Sequence, residues 1–202
     1  MITLIVDVTP PAVATITSVT DDVGTVTGPV LSGGATDDTQ PTLRGTAAGS
    51  ARVDIYNGDD LIGSATVNAQ GNWVFTPGSA LGNGTYTFTA VAVDAAGNTA
   101  AESNTWAVTI DTTTPTAPTL NTVLDNVGTV TGELSSNDRT DDTQPALSGT
   151  AATGSVIIIY DNNVEIGRTT AVNGAWSFTP TTPLAEGSHS LTLTATNGAG
   201  NT

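Results

Sequence analysis

The amino-acid sequence of this chain is written nearly twice. Asp21-Asp22-Val23-Gly24-Thr25-Val26-Thr27-Gly28 returns 104 residues later as Asp125-Asn126-Val127-Gly128-Thr129-Val130-Thr131-Gly132. Thr36-Asp37-Asp38-Thr39-Gln40-Pro41 returns at the same spacing as Thr140-Asp141-Asp142-Thr143-Gln144-Pro145. After a one-residue deletion, Trp73-Val74-Phe75-Thr76-Pro77 falls on Trp176-Ser177-Phe178-Thr179-Pro180. Self-similarity at a fixed period makes each copy one folding unit, and a unit of about 100 residues can bury its own core. The alignment divides the chain into an N-terminal extension at 1–7, repeat 1 at 8–110, a linker at 111–118 and repeat 2 at 119–202.

The phase of the duplication is shifted. Ile2-Thr3-Leu4-Ile5-Val6-Asp7 matches Trp106-Ala107-Val108-Thr109-Ile110-Asp111, so residues 2–6 read as the last strand of an upstream repeat. Repeat 2 stops at Gly200-Asn201-Thr202, the match of Gly97-Asn98-Thr99, before any counterpart of Glu102 to Ile110. The expectation is a piece of a longer chain to which Met1 is an addition, with no signal peptide in view. The sixth strand of repeat 2, Ser188 to Thr196, is then expected to carry an unpaired edge. Ile2 to Val6 has the pattern that edge requires, which leaves two readings open: strand exchange between neighbouring molecules, or a segment that frays or extends the first strand of repeat 1 while repeat 2 keeps an open edge.

Each copy reads as sheet. Forty residues, about a fifth, are Thr, and with Val and Ile they oppose helix and favour pleated surfaces. Period-two alternation marks strands at 13–19, 42–47, 51–57, 61–67, 72–76, 85–94 and 103–110, separated by Gly, Asn, Asp and Pro turns. Seven strands per copy is the arithmetic of an antiparallel sandwich, and no helix is expected. Tyr86, Phe88, Ala90 and Ala92 share one face of the sixth strand, with Trp73, Phe75 and Trp106 as bulky core fillers.

These blocks together carry a resemblance. The DNVGT and TDDTQPxLxGT motifs, GxWxFTP, the DxAGNT loop and the VTIDTTTPTAP linker look like the immunoglobulin-like repeats of very large bacterial surface adhesins of the biofilm-associated type. The resemblance covers essentially the whole chain. It implies an all-β fold of two tandem immunoglobulin-like antiparallel β-sandwich domains arranged end to end. It also implies a stalk segment of a secreted cell-surface adhesin, serving cell adhesion and biofilm formation, often stiffened by Ca²⁺ near domain junctions.

The residues supply their own case for a cation. A seven-stranded up-and-down order brings Asp21, Asp22, Asp37, Asp38 and Asp111 to one pole, with Asp125, Asp141 and Asp142 as the repeat 2 set. The connection at 20–41 shows no strand signal, and so long a loop is rarely left untied. Ca²⁺ takes six to eight oxygens from carboxylates, carbonyls and water, which Asp-rich loops offer. Asp7, Asp94 and Asn98 are the candidates at the opposite pole, where repeat 2 has the neutral Asn197 and Asn201. The plainer reading stands beside this one: Asp favours turns because its side chain bonds nearby backbone N–H groups.

Charge and composition remove other classes. Nineteen carboxylates against four arginines, a net charge of −15, oppose a nucleic-acid partner. With no Cys and one His there is no disulfide framework and no thiolate or His-rich metal site. No stretch approaches the 18 apolar residues of a membrane span, so a soluble, folded, acidic protein is expected. An enzyme is not expected, because His189, aligned with Tyr86, has no Ser or Cys partner at a recognisable spacing. A ligand-binding module of the same adhesin remains the alternative to a spacer, and it predicts a polar or aromatic cluster that one copy does not share with the other.

Overall fold

The computed structural model describes residues 2–202; Met1, the first residue of the expected extension, lies outside them. The chain divides into two compact units, one ending at Thr112 and the other spanning Thr113–Thr202, a division inside the expected linker. All the regular structure among the described residues is strand, as the β-branched composition requires.

Repeat 1 contains β1 (Thr15–Asp21), β2 (Gly28–Val30), β3 (Gly34–Thr36), β4 (Thr42–Thr46), β5 (Arg52–Asn57), β6 (Asp60–Thr66), β7 (Asn72–Phe75), β8 (Gly84–Val93), β9 (Thr99–Glu102) and β10 (Trp106–Ile110). One sheet runs β2-β1-β4-β7, and the other runs β3-β10-β8-β5-β6 with β9 also on β8. All pairings are antiparallel except that of β3 with β10, which is parallel. Repeat 2 contains β11 (Thr119–Asp125), β12 (Gly132–Glu133), β13 (Ala146–Thr150), β14 (Val156–Asp161), β15 (Val164–Thr170), β16 (Ala175–Phe178) and β17 (Leu191–Thr196). Its sheets run β12-β11-β13-β16 and β15-β14-β17.

Three sequence expectations are corrected by this topology. The strands do not follow an up-and-down order: β1 pairs β4, and β5 pairs β8. The connection at 20–41 is not strandless, since it holds β2 and β3. Each has three residues, too few to show alternation, and Gly28, Pro29 and Gly34 are poor strand formers whose pairing comes from distant partners. The strand expected at 103–110 starts at Trp106, because Ser103 and Asn104 serve as a clasp and β9 precedes them. Ser103 Oγ accepts from Ala90 N–H at 2.9 Å, and the Asn104 amide bonds both the N–H and the C=O of Ile16 at 2.9 and 3.1 Å.

The core of repeat 1 fills the space between its sheets. Val19, Leu43 and Trp73 from one sheet meet Val53, Ile55, Phe88, Ala90 and Val108 from the other, all 2% exposed or less. Tyr86 and Trp106 are half-buried at its margin, and Trp106 Nε1–H reaches Val30 C=O at 3.2 Å. Gly45 lets β1 and β4 approach: a Cβ there would stand 1.9 Å from Thr15 O and 2.3 Å from the Trp73 ring. Gly149 does the same in repeat 2, with Thr119 O at 1.8 Å and the Trp176 ring at 2.9 Å.

Candidate functional site

Asp21 ends β1 with both carboxylate oxygens committed. Oδ1 accepts the Val23 N–H at 2.9 Å and Oδ2 accepts the Thr36 hydroxyl at 2.5 Å. Thr36 Oγ1 in turn accepts the Asp38 N–H at 3.1 Å, and Asp38 Oδ1 accepts the Gln40 N–H at 2.8 Å. The Gln40 amide then donates to Pro77 C=O at 2.7 Å. Asp111 joins through its backbone, its N–H donating to Thr36 C=O at 2.9 Å. The three motifs DxVG, TDDTQP and FTP, separate in sequence, are thus one hydrogen-bonded structure.

Repeat 2 reproduces it. Thr140 donates to Asp125 at 2.6 Å, Asp142 N–H to Thr140 at 2.9 Å, Gln144 N–H to Asp142 at 2.8 Å and the Gln144 amide to Pro180 C=O at 2.8 Å. The Thr140 hydroxyl holds the Asp125 carboxyl below its usual value. Thr36, Gln40 and their copies were not among the sequence candidates. They carry no charge, yet their exact recurrence was the available signal.

What the hydrogen bonds leave over is specific. Asp37 lies against Gly24, where a Cβ would meet Asp37 Oδ2 at 2.4 Å and where φ is +71°; Asp141 lies on Gly128 in the same way. Glycine is therefore needed in DxVG for both space and conformation. Asp37 Oδ1 and Asp38 Oδ2 are buried without a hydrogen-bond partner. Burial, with the charge of Asp21, pushes the Asp37 carboxyl up; burial, with the charges of Asp22 and Asp21, does so for Asp38. Two orphaned carboxylate oxygens beside further carboxylates suit a hard cation in donor chemistry. They do not make a finished shell: among the described residues no group of three or more His, Cys, Asp or Glu is arranged to hold a metal ion. In repeat 2 the matching oxygen of Asp142 accepts the Asn126 N–H at 3.3 Å, and Asn126 replaces the charge of Asp22.

Asp7, Asp94 and Asn98 also come together, as a loop clasp. Asp94 Oδ1 accepts the N–H groups of Ala96 and Asn98, both at 2.9 Å, and Oδ2 accepts the Asn98 amide at 2.8 Å. These donors hold the Asp94 carboxyl below its usual value, the Asn98 side chain contributing most. The Asn98 amide also donates to Asp7 C=O at 3.1 Å, while Asp7 Oδ1 accepts the Thr9 N–H at 3.0 Å. Asn197 builds the same loop without charge, accepting from Ala199 and Asn201 N–H at 3.1 and 3.0 Å, and its amide donates to Thr113 C=O at 3.0 Å. A neutral side chain that preserves the loop identifies geometry, not charge, as what the position needs. His189 stands outside both clusters, bonded to Asp161 at 2.7 Å and to Ala185 C=O at 2.8 Å, much as Tyr86 OH donates to Gly82 C=O at 3.1 Å.

A family model described as the bacterial Ig-like domain matches the chain twice, over residues 11–112 and 116–202. The chain belongs to the bacterial Ig-like domain family. Both polar clusters are therefore found in tandem copies of one domain type, and the match ends of the first copy take in β1 through β10. A search of curated proteins finds no match. Among solved structures, the human OSCAR ligand-binding domain is similar at 11% identity and a TM-score of 0.36, covering 91% of this chain and 95% of its own. The central fibronectin-III array of RIM-binding protein is similar at 10% identity and a TM-score of 0.28, covering 89% of this chain and 58% of its own. The residues that recur between the two bacterial Ig-like domains are those that close loops onto strands.

Proposed function

We propose that this pair of bacterial Ig-like domains is a non-enzymatic extender module of a large secreted surface adhesin of the biofilm-associated type, displayed outside the bacterial cell. The observation that carries the reading is duplication of structural detail: the Asp21–Thr36–Asp38–Gln40–Pro77 chain recurs bond for bond as Asp125–Thr140–Asp142–Gln144–Pro180. What recurs fixes loops, as suits a spacer, whereas a receptor site predicts a cluster that one copy does not share. Saturable binding of the purified chain to host glycans or matrix proteins, on an array and in solution, would replace the spacer reading with the ligand-binding one. Surface display is tested on intact cells of the source bacterium by antibody labelling of these domains.

Calcium belongs to the proposal through Asp37 and Asp38, whose orphaned oxygens a bound cation would neutralise, with Asp21 and Asp22 beside them. A ligand held only by the folded state adds about 2.7 kcal/mol per site at a hundredfold excess over Kd. Melting in millimolar Ca²⁺ is expected to exceed melting in chelator by several degrees, and an unchanged midpoint removes calcium from the reading without touching the spacer role.

A further inference from the structure

Four asparagines precede a glycine: Asn57-Gly58, Asn83-Gly84, Asn173-Gly174 and Asn197-Gly198. In such a pair the glycine backbone nitrogen can attack the asparagine's own side-chain carbonyl, because no Cβ hinders the approach. The fold treats the four pairs differently. Gly58 N–H donates to Thr87 C=O at 3.1 Å, and Gly174 N–H donates to the Thr153 hydroxyl at 2.8 Å. Gly84 is a rung of β8, opposite Ile110. Gly198 lies outside any strand and is exposed, and its N–H meets no acceptor among the described residues. Its nitrogen is the one that a water molecule or hydroxide can reach and deprotonate without first breaking the fold.

The carbonyl beside that nitrogen sits among donors. Asn197 Oδ1 accepts the Ala199 N–H at 3.1 Å, the Asn201 N–H at 3.0 Å and the Asn201 side-chain amide at 3.2 Å. These donors hold the resting amide, but they bond more strongly to an oxygen that gains negative charge as its carbon becomes tetrahedral. Repeat 1 shows that the product of such an attack fits. Its matching loop is Asp94-Ala95-Ala96-Gly97-Asn98, where Asp94 accepts the N–H groups of Ala96 and Asn98 at 2.9 Å and the Asn98 amide at 2.8 Å. A carboxylate thus closes this loop with the same donors as a carboxamide.

We propose that Asn197 is a self-modification site, at which the Gly198 nitrogen converts the asparagine to aspartate and gives repeat 2 the carboxylate that repeat 1 has in Asp94. The Gly198 N–H gives its proton to water or hydroxide, and the nitrogen attacks Asn197 Cγ. A bond forms between that nitrogen and Cγ, the Cγ–Nδ2 bond breaks, and ammonia leaves a cyclic imide. Water then opens the ring: addition at Cγ gives aspartate, and addition at the main-chain carbonyl gives isoaspartate. One water is consumed for each ammonia released, and no oxidant or cofactor takes part. The departing nitrogen is the one that donates to Thr113 C=O at 3.0 Å, so that bond is lost. Asn201 stands where repeat 1 has Asn98, whose amide serves the carbonyl of Asp7 at 3.1 Å.

Peptide mapping by mass spectrometry tests this on the whole folded chain held in mildly alkaline buffer, with Asn57, Asn83 and Asn173 as internal controls. Asn197 is expected to exchange its amide NH2 for OH about tenfold faster than any of the three. In denaturant the four pairs should react at similar rates, because the preference belongs to the fold. Gly198→Ala installs the residue of repeat 1 at a position where a Cβ has open space and the backbone is not left-handed, so the loop is kept. That variant should react about tenfold more slowly, through hindrance at the attacking nitrogen. Asn197→Asp should retain the repeat 2 melting transition. An Asn197 that reacts no faster than the controls, a ranking that survives unfolding, an undiminished rate in Gly198→Ala, or loss of the transition in Asn197→Asp would each overturn the proposal.

Discussion

Repeats 1 and 2 share motifs, loop clasps and the close β1–β4 and β11–β13 contacts, yet they differ in how far their cores close. Repeat 1 has sixteen buried residues in its apolar cluster, and repeat 2 has six. The difference does not come from weaker side chains, since Leu191 and Leu193 are larger than, or comparable to, Phe88 and Ala90 taken together as a pair of fillers. It comes from β9, β10 and the Asn104 clasp, which repeat 1 lays over β8 and β1. Local alternation therefore builds the sheets, and in repeat 1 a last strand from the end of the repeat closes the space between them.

The largest effect is expected at the glycines that both copies share at their closest strand contact. Gly45→Ala and Gly149→Ala each drive a Cβ into a backbone oxygen at 1.9 and 1.8 Å, and backbone cannot give way as a flexible side chain does. A cost of roughly 3 kcal/mol, the upper end for overpacking, is expected at each site. The outcomes should differ, with repeat 1 remaining folded after Gly45→Ala and repeat 2 losing its cooperative transition after Gly149→Ala. Calorimetry of the two variants checks this; equal tolerance would mean that the difference in core burial does not set relative stability.

A smaller effect sharpens the contrast at the acidic pole. Asp37 and Asp38 have carboxyl values raised by burial and neighbouring charge. Their contribution is therefore favourable below the ordinary carboxylate value and is lost as pH rises through the raised one. At neutral pH in chelator, Asp37→Asn should stabilise repeat 1 by less than about 1 kcal/mol after solvent screening, and the gain should vanish or reverse in Ca²⁺. Asp142→Asn should gain less than Asp38→Asn, because Asn126 stands where repeat 1 has Asp22, whose charge helps raise Asp38. Chemical denaturation at pH 7 with and without Ca²⁺ reads both, and destabilisation by Asp37→Asn in chelator would assign its carboxylate a purely structural bond.

The smallest effect belongs to His189. Its bonds to Asp161 and then to Ala185 C=O raise the imidazole above its usual value. The stabilisation is complete below about pH 6.5 and is lost as pH rises through the higher folded value. The pair is partly open to solvent, with 25% and 13% of the side chains exposed, so well under 1 kcal/mol is expected. The repeat 2 midpoint should fall slightly from pH 5.5 to pH 9 relative to His189→Tyr, which restores the residue of repeat 1; parallel pH profiles for the two proteins would contradict this.

Much of the fold was legible because alternation is local. The strands expected at 42–47, 51–57, 61–67, 72–76 and 85–94 differ from β4 to β8 by at most one residue at each end. β2, β3 and β9 were not legible, since three or four residues with Gly, Pro or Ala show no period and take their identity from a partner far along the chain. The acidic residues were legible as groups: Asp21 with Asp37 and Asp38, and Asp7 with Asp94 and Asn98, do meet. Their employment was not, because nothing in spacing reveals that Thr36 and the backbone of Gln40 already hold the oxygens of Asp21 and Asp38.

Two homologous units, the sheet character of each, the buried face of β8 and the recurring Asp-rich blocks all follow from the order of the amino acids alone. These are properties of period and repetition, carried by neighbouring residues. The strand order, the parallel β3–β10 pairing, the union of three motifs through Gln40 and Pro77, and the two carboxylate oxygens left without donors arise only once the chain is folded. Those depend on which distant segments occupy one another's hydrogen-bonding edges, and an edge has no signature until its partner is in place.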